Sequence, residues 1–199
     1  MLNDRQILNA LNGHSKHSPR IVIDPFNREF LGPNSYDLTL SGKYKEFVGR
    51  FGADNPIDTT KDIPDYYSYV DGSYGGLIKC RPGKTIIVMS REIIGVTRPY
   101  VGIISPRSGI SRLPISISYS HLVDTGYKGI IGASFTNHSD VELDFHEGQR
   151  FMQIMFHTCS GNIMRTYSGR DSSKYLKNDG SDVPVYKIDK EWLKDADKL

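Results

Sequence analysis

The sequence predicts a mainly β fold opened by one short helix. Apolar and polar residues alternate over several short runs, and Gly, Pro and Asn turns separate those runs. No strand-helix alternation is visible, which disfavours a doubly wound parallel sheet and points to a closed or sandwiched β architecture. In chain order, Asn3 caps a helix whose Ile7, Leu8 and Leu11 form one apolar stripe, ended by Asn12-Gly13. Tyr36, Leu38 and Leu40 alternate with Ser35, Asp37 and Thr39 as a half-buried strand, and Thr85–Met89 reads as another. Ile115, Ile117 and Tyr119 interleave with Ser116, Ser118 and Ser120, and Val141, Leu143 and Phe145 with Glu142, Asp144 and His146.

With 199 residues, 38% of them hydrophobic, the chain suits one well-buried domain over 1–199. An excursion over about 51–76 breaks the pattern with Asp54-Asn55-Pro56 and a run of tyrosines. A polar tail over about 165–180 reads as a lid that closes on a substrate or as a solvated terminus. The net charge of +2 lacks the basic excess of a protein that coats a nucleic acid polymer. No apolar run approaches a membrane span and the N-terminus lacks a signal-peptide core, so the expectation is a cytoplasmic protein with no membrane partner. Cys80 and Cys159 are expected as reduced thiols.

Two runs concentrate the chemistry. Pro106-Arg107-Ser108-Gly109-Ile110-Ser111-Arg112 puts two guanidinium groups, hydroxyls and a glycine close together, a donor set suited to polyphosphate. Val123-Asp124-Thr125-Gly126-Tyr127-Lys128-Gly129 puts a carboxylate beside a tight turn. An anion-gripping loop followed by a carboxylate suggests a site that holds a nucleotide and directs water at it. The structural alternatives are an interface salt bridge for Arg107 and Arg112 and a turn cap for Asp124. Other chemistries lack their residues. The zinc deaminase signature is missing, His157 and Cys159 are too sparse for a metal centre, and no Walker-type loop occurs.

Five segments in order resemble the dCTP deaminase/dUTPase superfamily. They are Asn34–Leu38, Pro106–Arg112, His121–Gly129, Glu147–Arg150 with Gln153-Ile154, and Ser173-Lys174-Tyr175. The opening Met1–Ile7 and Ile23-Asp24-Pro25-Phe26 are closest to the deaminase branch. The resemblance implies a distorted β-barrel or jelly-roll subunit of the dUTPase-like type. It also implies a homotrimer with sites at subunit interfaces, a pyrimidine deoxynucleoside triphosphate as substrate, and Mg2+ held mainly by the triphosphate, with no protein metal ligands. Carried over by position, it assigns substrate binding to Arg107, Ser108, Gly109, Arg112, His121, Val123, Gln149, Tyr167 and Lys174. Asp124 and Ser134 are its candidate catalytic positions.

The chain departs from the deaminase pattern at one place. In that pattern a glutamate before a phenylalanine shuttles protons between water and the leaving ammonia, whereas here the strand reads Gly132-Ala133-Ser134-Phe135. A hydroxyl is a poor substitute, because a proton shuttle wants a pKa near the working pH. The loop Pro106-Arg107-Ser108-Gly109 is itself closer to dUTPases. The implied activity is therefore dCTP deamination, with dUTP diphosphatase, or nucleotide binding without turnover, as alternatives.

Overall fold

A computed structural model describes residues 1–12, 21–47, 60, 75–170, 173–176, 178–184 and 186–187. The expected excursion lies outside the described residues except for Thr60, Gly75 and Gly76. Helix α1 (Asp4–Asn12) starts as expected at Asn3. The Asn3 Oδ1 accepts from the Gln6 amide at 2.9 Å and Gln6 Oε1 accepts from the Asn3 amide at 3.0 Å, a reciprocal cap that satisfies two donors. Ile7 and Ala10 are buried, Leu8 and Leu11 half-buried, and the Leu2 amide ties the helix to the body by donating to the Phe156 carbonyl at 2.7 Å.

Ten strands follow: β1 (Ile21–Asp24), β2 (Tyr36–Glu46), β3 (Leu77–Cys80), β4 (Thr85–Val96), β5 (Tyr100–Pro106), β6 (Ile115–Tyr119), β7 (Leu122–Val123), β8 (Lys128–Asn137), β9 (Leu143–His146) and β10 (Arg150–Thr158). Eight form one antiparallel sheet in the order β6-β8-β4-β2-β10-β5-β7, with β1 on the far end of β4, and β3 and β9 form a separate pair. The sheet curls into a half-barrel. Its concave side holds Tyr36, Leu38, Leu40, Phe135, Phe151, Ile154 and Phe156, all fully buried, so the mainly β expectation and the alternation within β2 both hold. Each large apolar side chain withdrawn in this way contributes about 1.5–3 kcal/mol before chain entropy is set against it.

Two departures from the alternation have local causes. Thr39, on the polar face of β2, is buried because its amide and hydroxyl donate to the Glu92 carboxylate at 2.9 and 2.7 Å. Glu92 sits where the β4 register slips between Met89 and Ile93, and the Ser90 hydroxyl fills the gap by donating to the Glu92 carbonyl and accepting from the Ile131 amide. That slip lets β4 run twelve residues, well past the expected Met89. Val141 falls outside β9 and is exposed, because its carbonyl is drawn into a turn by the Asn137 side-chain amide at 2.8 Å. Both cysteines are free, and burial pushes the Cys80 thiol up to about 11. Among the described residues no helix is long and apolar enough to cross a membrane.

Candidate active site

Beyond β10 the chain returns across the convex face of β8 and β4. It is held at both ends of this path. Near Gly126, which has φ +93°, a Cβ would lie 2.8 Å from the Thr166 Cβ, so only glycine lets the returning segment pass this closely. The Tyr167 amide then donates to the Thr125 carbonyl at 2.8 Å. Farther on, Asn178 bridges to Gly129 and its carbonyl accepts from the Ile130 amide at 3.1 Å. Val183 packs on Met89 and Ile130, and the buried Lys45 pairs with Asp182 at 2.7 Å. The described part of the tail thus lies against the sheet as a strap.

Between this strap and the sheet lies a cavity of about 380 Å³. Asp124, Ser134, Val123 and Tyr167 all line it, so four of the residues singled out in the sequence meet there. The walls also include Ser118 and Ser120 of the β6 end, Ile87, and Tyr175 and Tyr186 of the strap. Asp124 is the one carboxylate among the described lining residues. Its backbone carbonyl closes the turn by accepting from the Tyr127 amide at 3.0 Å, while its carboxylate makes no hydrogen bond or ion pair among the described residues. The turn-cap alternative thus falls to the main chain and leaves the side chain available. Tyr127 donates to the Ile130 carbonyl at 2.5 Å and meets Tyr167 edge-on at 5.5 Å. Burial, and next the neighbouring Tyr167, push its hydroxyl far above the ordinary tyrosine range, so it remains a donor and a fixed wall.

The phosphate-loop residues do not line this cavity. The Arg107 guanidinium donates to the Asp37 carboxylate, and Arg150 donates to the same oxygen from 3.2 Å while lying 5.7 Å over the Phe30 ring. The salt bridge at Arg107 therefore lies within the chain and not at the interface expected of it. Asp37 and Arg107 keep 17% and 30% of their side-chain surface, enough for a solute anion to reach them. Arg112 donates to the Ser108 carbonyl at 2.7 Å and holds the loop in one turn, with Ser108 and Gly109 exposed. Gly109 has φ −66° and ψ −47°, a backbone any residue adopts, and open space where a Cβ would be.

The remaining positions are also outside the cavity. Exposed His121 packs its ring 4.4 Å from Tyr119. Gln149 supports the β9–β10 turn, accepting from the His146 amide at 3.1 Å through Oε1 and from the Leu40 amide at 3.0 Å through its carbonyl. Lys174 is half-buried, and its carbonyl accepts from Lys187 Nζ at 2.8 Å. Among the described residues no group of three or more His, Cys, Asp or Glu could hold a metal ion. The donor set fits Mg2+ only as a companion of phosphate oxygens, which is how that ion commonly binds.

The family model described as dCTP deaminase-like matches residues 1–159. A protein of Methanosphaera stadtmanae named "dCTP deaminase, dUMP-forming" is 28% identical over 193 residues, covering 95% of each chain. One of the same name from Methanopyrus kandleri is 30% identical over 182 residues, covering 88% of this chain and 90% of its own. The crystal structure of 2'-deoxycytidine 5'-triphosphate deaminase from Agrobacterium tumefaciens aligns with a TM-score of 0.59 at 20% identity over 79% of this chain. The chain spans about half the length of that protein, 48%, and the likeness concerns the fold. The β architecture and a family match that runs from Met1 through the end of β10 and includes four of the five ordered segments agree, and the chain belongs to the dCTP deaminase-like family.

Proposed function

We propose that this chain is a pyrimidine deoxynucleoside triphosphate enzyme whose base site is the strap-covered cavity, with dCTP deamination as its activity. The observation that carries this reading is the meeting of Asp124, Ser134 and Tyr167 in one cavity of a dCTP deaminase-like chain. In the reaction, water adds to C4 of the cytosine ring, one of its protons passes to N3 and the other to the amino nitrogen, and ammonia leaves as the C4 carbonyl forms. Asp124 is the described cavity residue able to take and return those protons, and the Ser134 hydroxyl can only hold the water or the amino group. Val123 and Tyr167 shape the wall beside the base, and the strap excludes bulk water. Arg107, Ser108 and Arg112, which lie outside the cavity, serve the triphosphate. Because the cavity lacks them, we read the site as completed by the loop of a neighbouring copy in a homotrimer. Mg2+ bound to the phosphates would offset their charge.

A second reading is dUTP diphosphatase activity. It is favoured by the neutral Ser134 and by Asp124 facing the cavity with no partner of its own among the described residues. There the carboxylate orients water toward the α-phosphorus, and pyrophosphate leaves. The names of the two relatives join dCTP to dUMP, which would require both steps. Incubation with dCTP and with dUTP in Mg2+, following ammonia and pyrophosphate separately, decides between them. Ammonia from dCTP supports deamination, and pyrophosphate from dUTP without ammonia from dCTP selects the second reading. Failure of both nucleotides to bind overturns both readings.

A further inference from the structure

The convex face of the sheet carries a row of hydroxyls with unequal partners. In the β6–β8 register Ser116 stands opposite Thr136 and Ser118 opposite Ser134, which places each pair on one face of the sheet. The first pair is engaged elsewhere: Ser116 Oγ is 2.5 Å from His138 Nε2, and Thr136 Oγ1 is 2.8 Å from Thr85 Oγ1. The second pair is not. Ser118 and Ser134 both line the cavity, and neither hydroxyl makes a hydrogen bond among the described residues. Continuing along the row, Ser134 stands opposite Ile87, which also lines the cavity and supplies no polar group. Two adjacent hydroxyls with open valences thus form a neutral polar spot on an otherwise largely apolar and aromatic lining.

Resting on the reading of this cavity as a base site, we propose that Ser118 and Ser134 act as a pair that binds the 4-position edge of the pyrimidine, with Ser118 as a specificity-determining residue. A carboxylate accepts only and an ammonium donates only, so either would choose between a 4-amino and a 4-oxo group. A hydroxyl rotates to do both. Two of them side by side accept from the amino group of cytosine or donate to the oxo group of uracil without leaving a charge unpaired. The pair accordingly makes the site tolerant of both bases, as an enzyme must be if it retains the uracil product of its own deamination.

The test is calorimetric binding of the α,β-imido analogues of dCTP and dUTP, with Mg2+, to the full chain and its variants. The wild type binds the two within about tenfold of each other. Ser118→Ala weakens both by about two- to tenfold, the loss of one neutral hydrogen bond. Ser118→Asp, which accepts only, shifts preference toward the cytosine analogue by at least about tenfold. Ser118 is exposed at the cavity mouth, and unchanged melting temperatures confirm that each variant folds. Binding of both analogues by Ser118→Ala at wild-type strength overturns the pair while leaving the cavity as base site. Wild-type discrimination much greater than tenfold overturns the tolerance. Absence of binding by the wild type overturns the base-site reading and the pair with it.

Discussion

The two regions that the sequence joined into one site are built on opposite electrostatic plans. At the end of β5 and β10, two guanidinium groups converge on the single carboxylate of Asp37, and charge is already paired before any ligand arrives. In the cavity, one carboxylate and the two hydroxyls of Ser118 and Ser134 make no hydrogen bond among the described residues and stand against tyrosines and aliphatic walls. On the proposed reading the first region holds anions, because a phosphate that displaces or joins Asp37 would meet donors already fixed in place. The second suits a flat, weakly polar ring and a proton transfer. Separating grip from chemistry in this way leads to mutations with different signatures.

The largest effect is expected at the cavity carboxylate. Asp124→Asn keeps the shape and removes the proton carrier, and turnover measured by product release falls about 10²–10⁴-fold with binding little changed. Undiminished turnover would leave Asp124 as a turn residue. The grip comes next. Arg107→Ala weakens triphosphate binding by about ten- to a hundredfold and leaves nucleoside binding as it was, since a charge-assisted contact is worth about 1.5–3 kcal/mol. Equal losses for both ligands would return Arg107 to a purely structural role beside Asp37. If the two regions meet across subunits, mixing and reassembling the Asp124→Asn and Arg107→Ala variants restores part of the turnover, and no recovery breaks that connection.

Behind the cavity wall the effect is on stability and depends on pH. Desolvation by burial raises the Glu92 pKa above its ordinary value, partly opposed by the hydrogen bonds from Thr39. The folded state then binds the proton more tightly than the unfolded chain does, so stability falls as pH rises from the unfolded to the folded pKa, and the full penalty persists above it. Glu92→Gln can accept from the Thr39 amide and donate to its hydroxyl. Its melting temperature should exceed that of the wild type at neutral pH and converge toward it in acid, and a gap of the same size at every pH would contradict this. The smallest effect belongs to Gly109. Gly109→Ala should stabilise the subunit by about 0.4–1 kcal/mol in denaturant titration, because its backbone is already helical and the added methyl meets nothing. Destabilisation would show that the loop needs glycine within the subunit.

What was legible in the sequence was whatever local periodicity or short motifs encode. The alternation at Tyr36, Leu38 and Leu40 and at Ile115, Ile117 and Tyr119 locates two strands, and Asn3 marks the helix start. Asp124 and Val123 were found through an ordered motif and Ser134 and Tyr167 by position in the resembled pattern, and all four line one cavity. Contacts between distant segments were not legible. Asp37 meets Arg107 from 70 positions away, and Lys43 Nζ holds the strap carbonyls of Gly180 and Ser181 from 137 and 138 away, with no pattern to announce either. The same is true of Tyr175 and Tyr186 as cavity walls. Ser118 was visible only as the outward side of a strand. Its signal was the unbroken serine alternation of β6, but its meaning depends on the register that sets it opposite Ser134.

The central claim is that the cavity supports deaminase chemistry in which Asp124 alone carries the proton and the neutral Ser134 keeps turnover slow. Single-turnover ammonia release from dCTP by the wild type and by Ser134→Glu measures it most directly. The account predicts slow release by the wild type and a rise of about 10²–10⁴-fold on placing a carboxylate there. Brisk release by the wild type, or a Ser134→Glu variant that still binds dCTP and releases ammonia no faster, would contradict it.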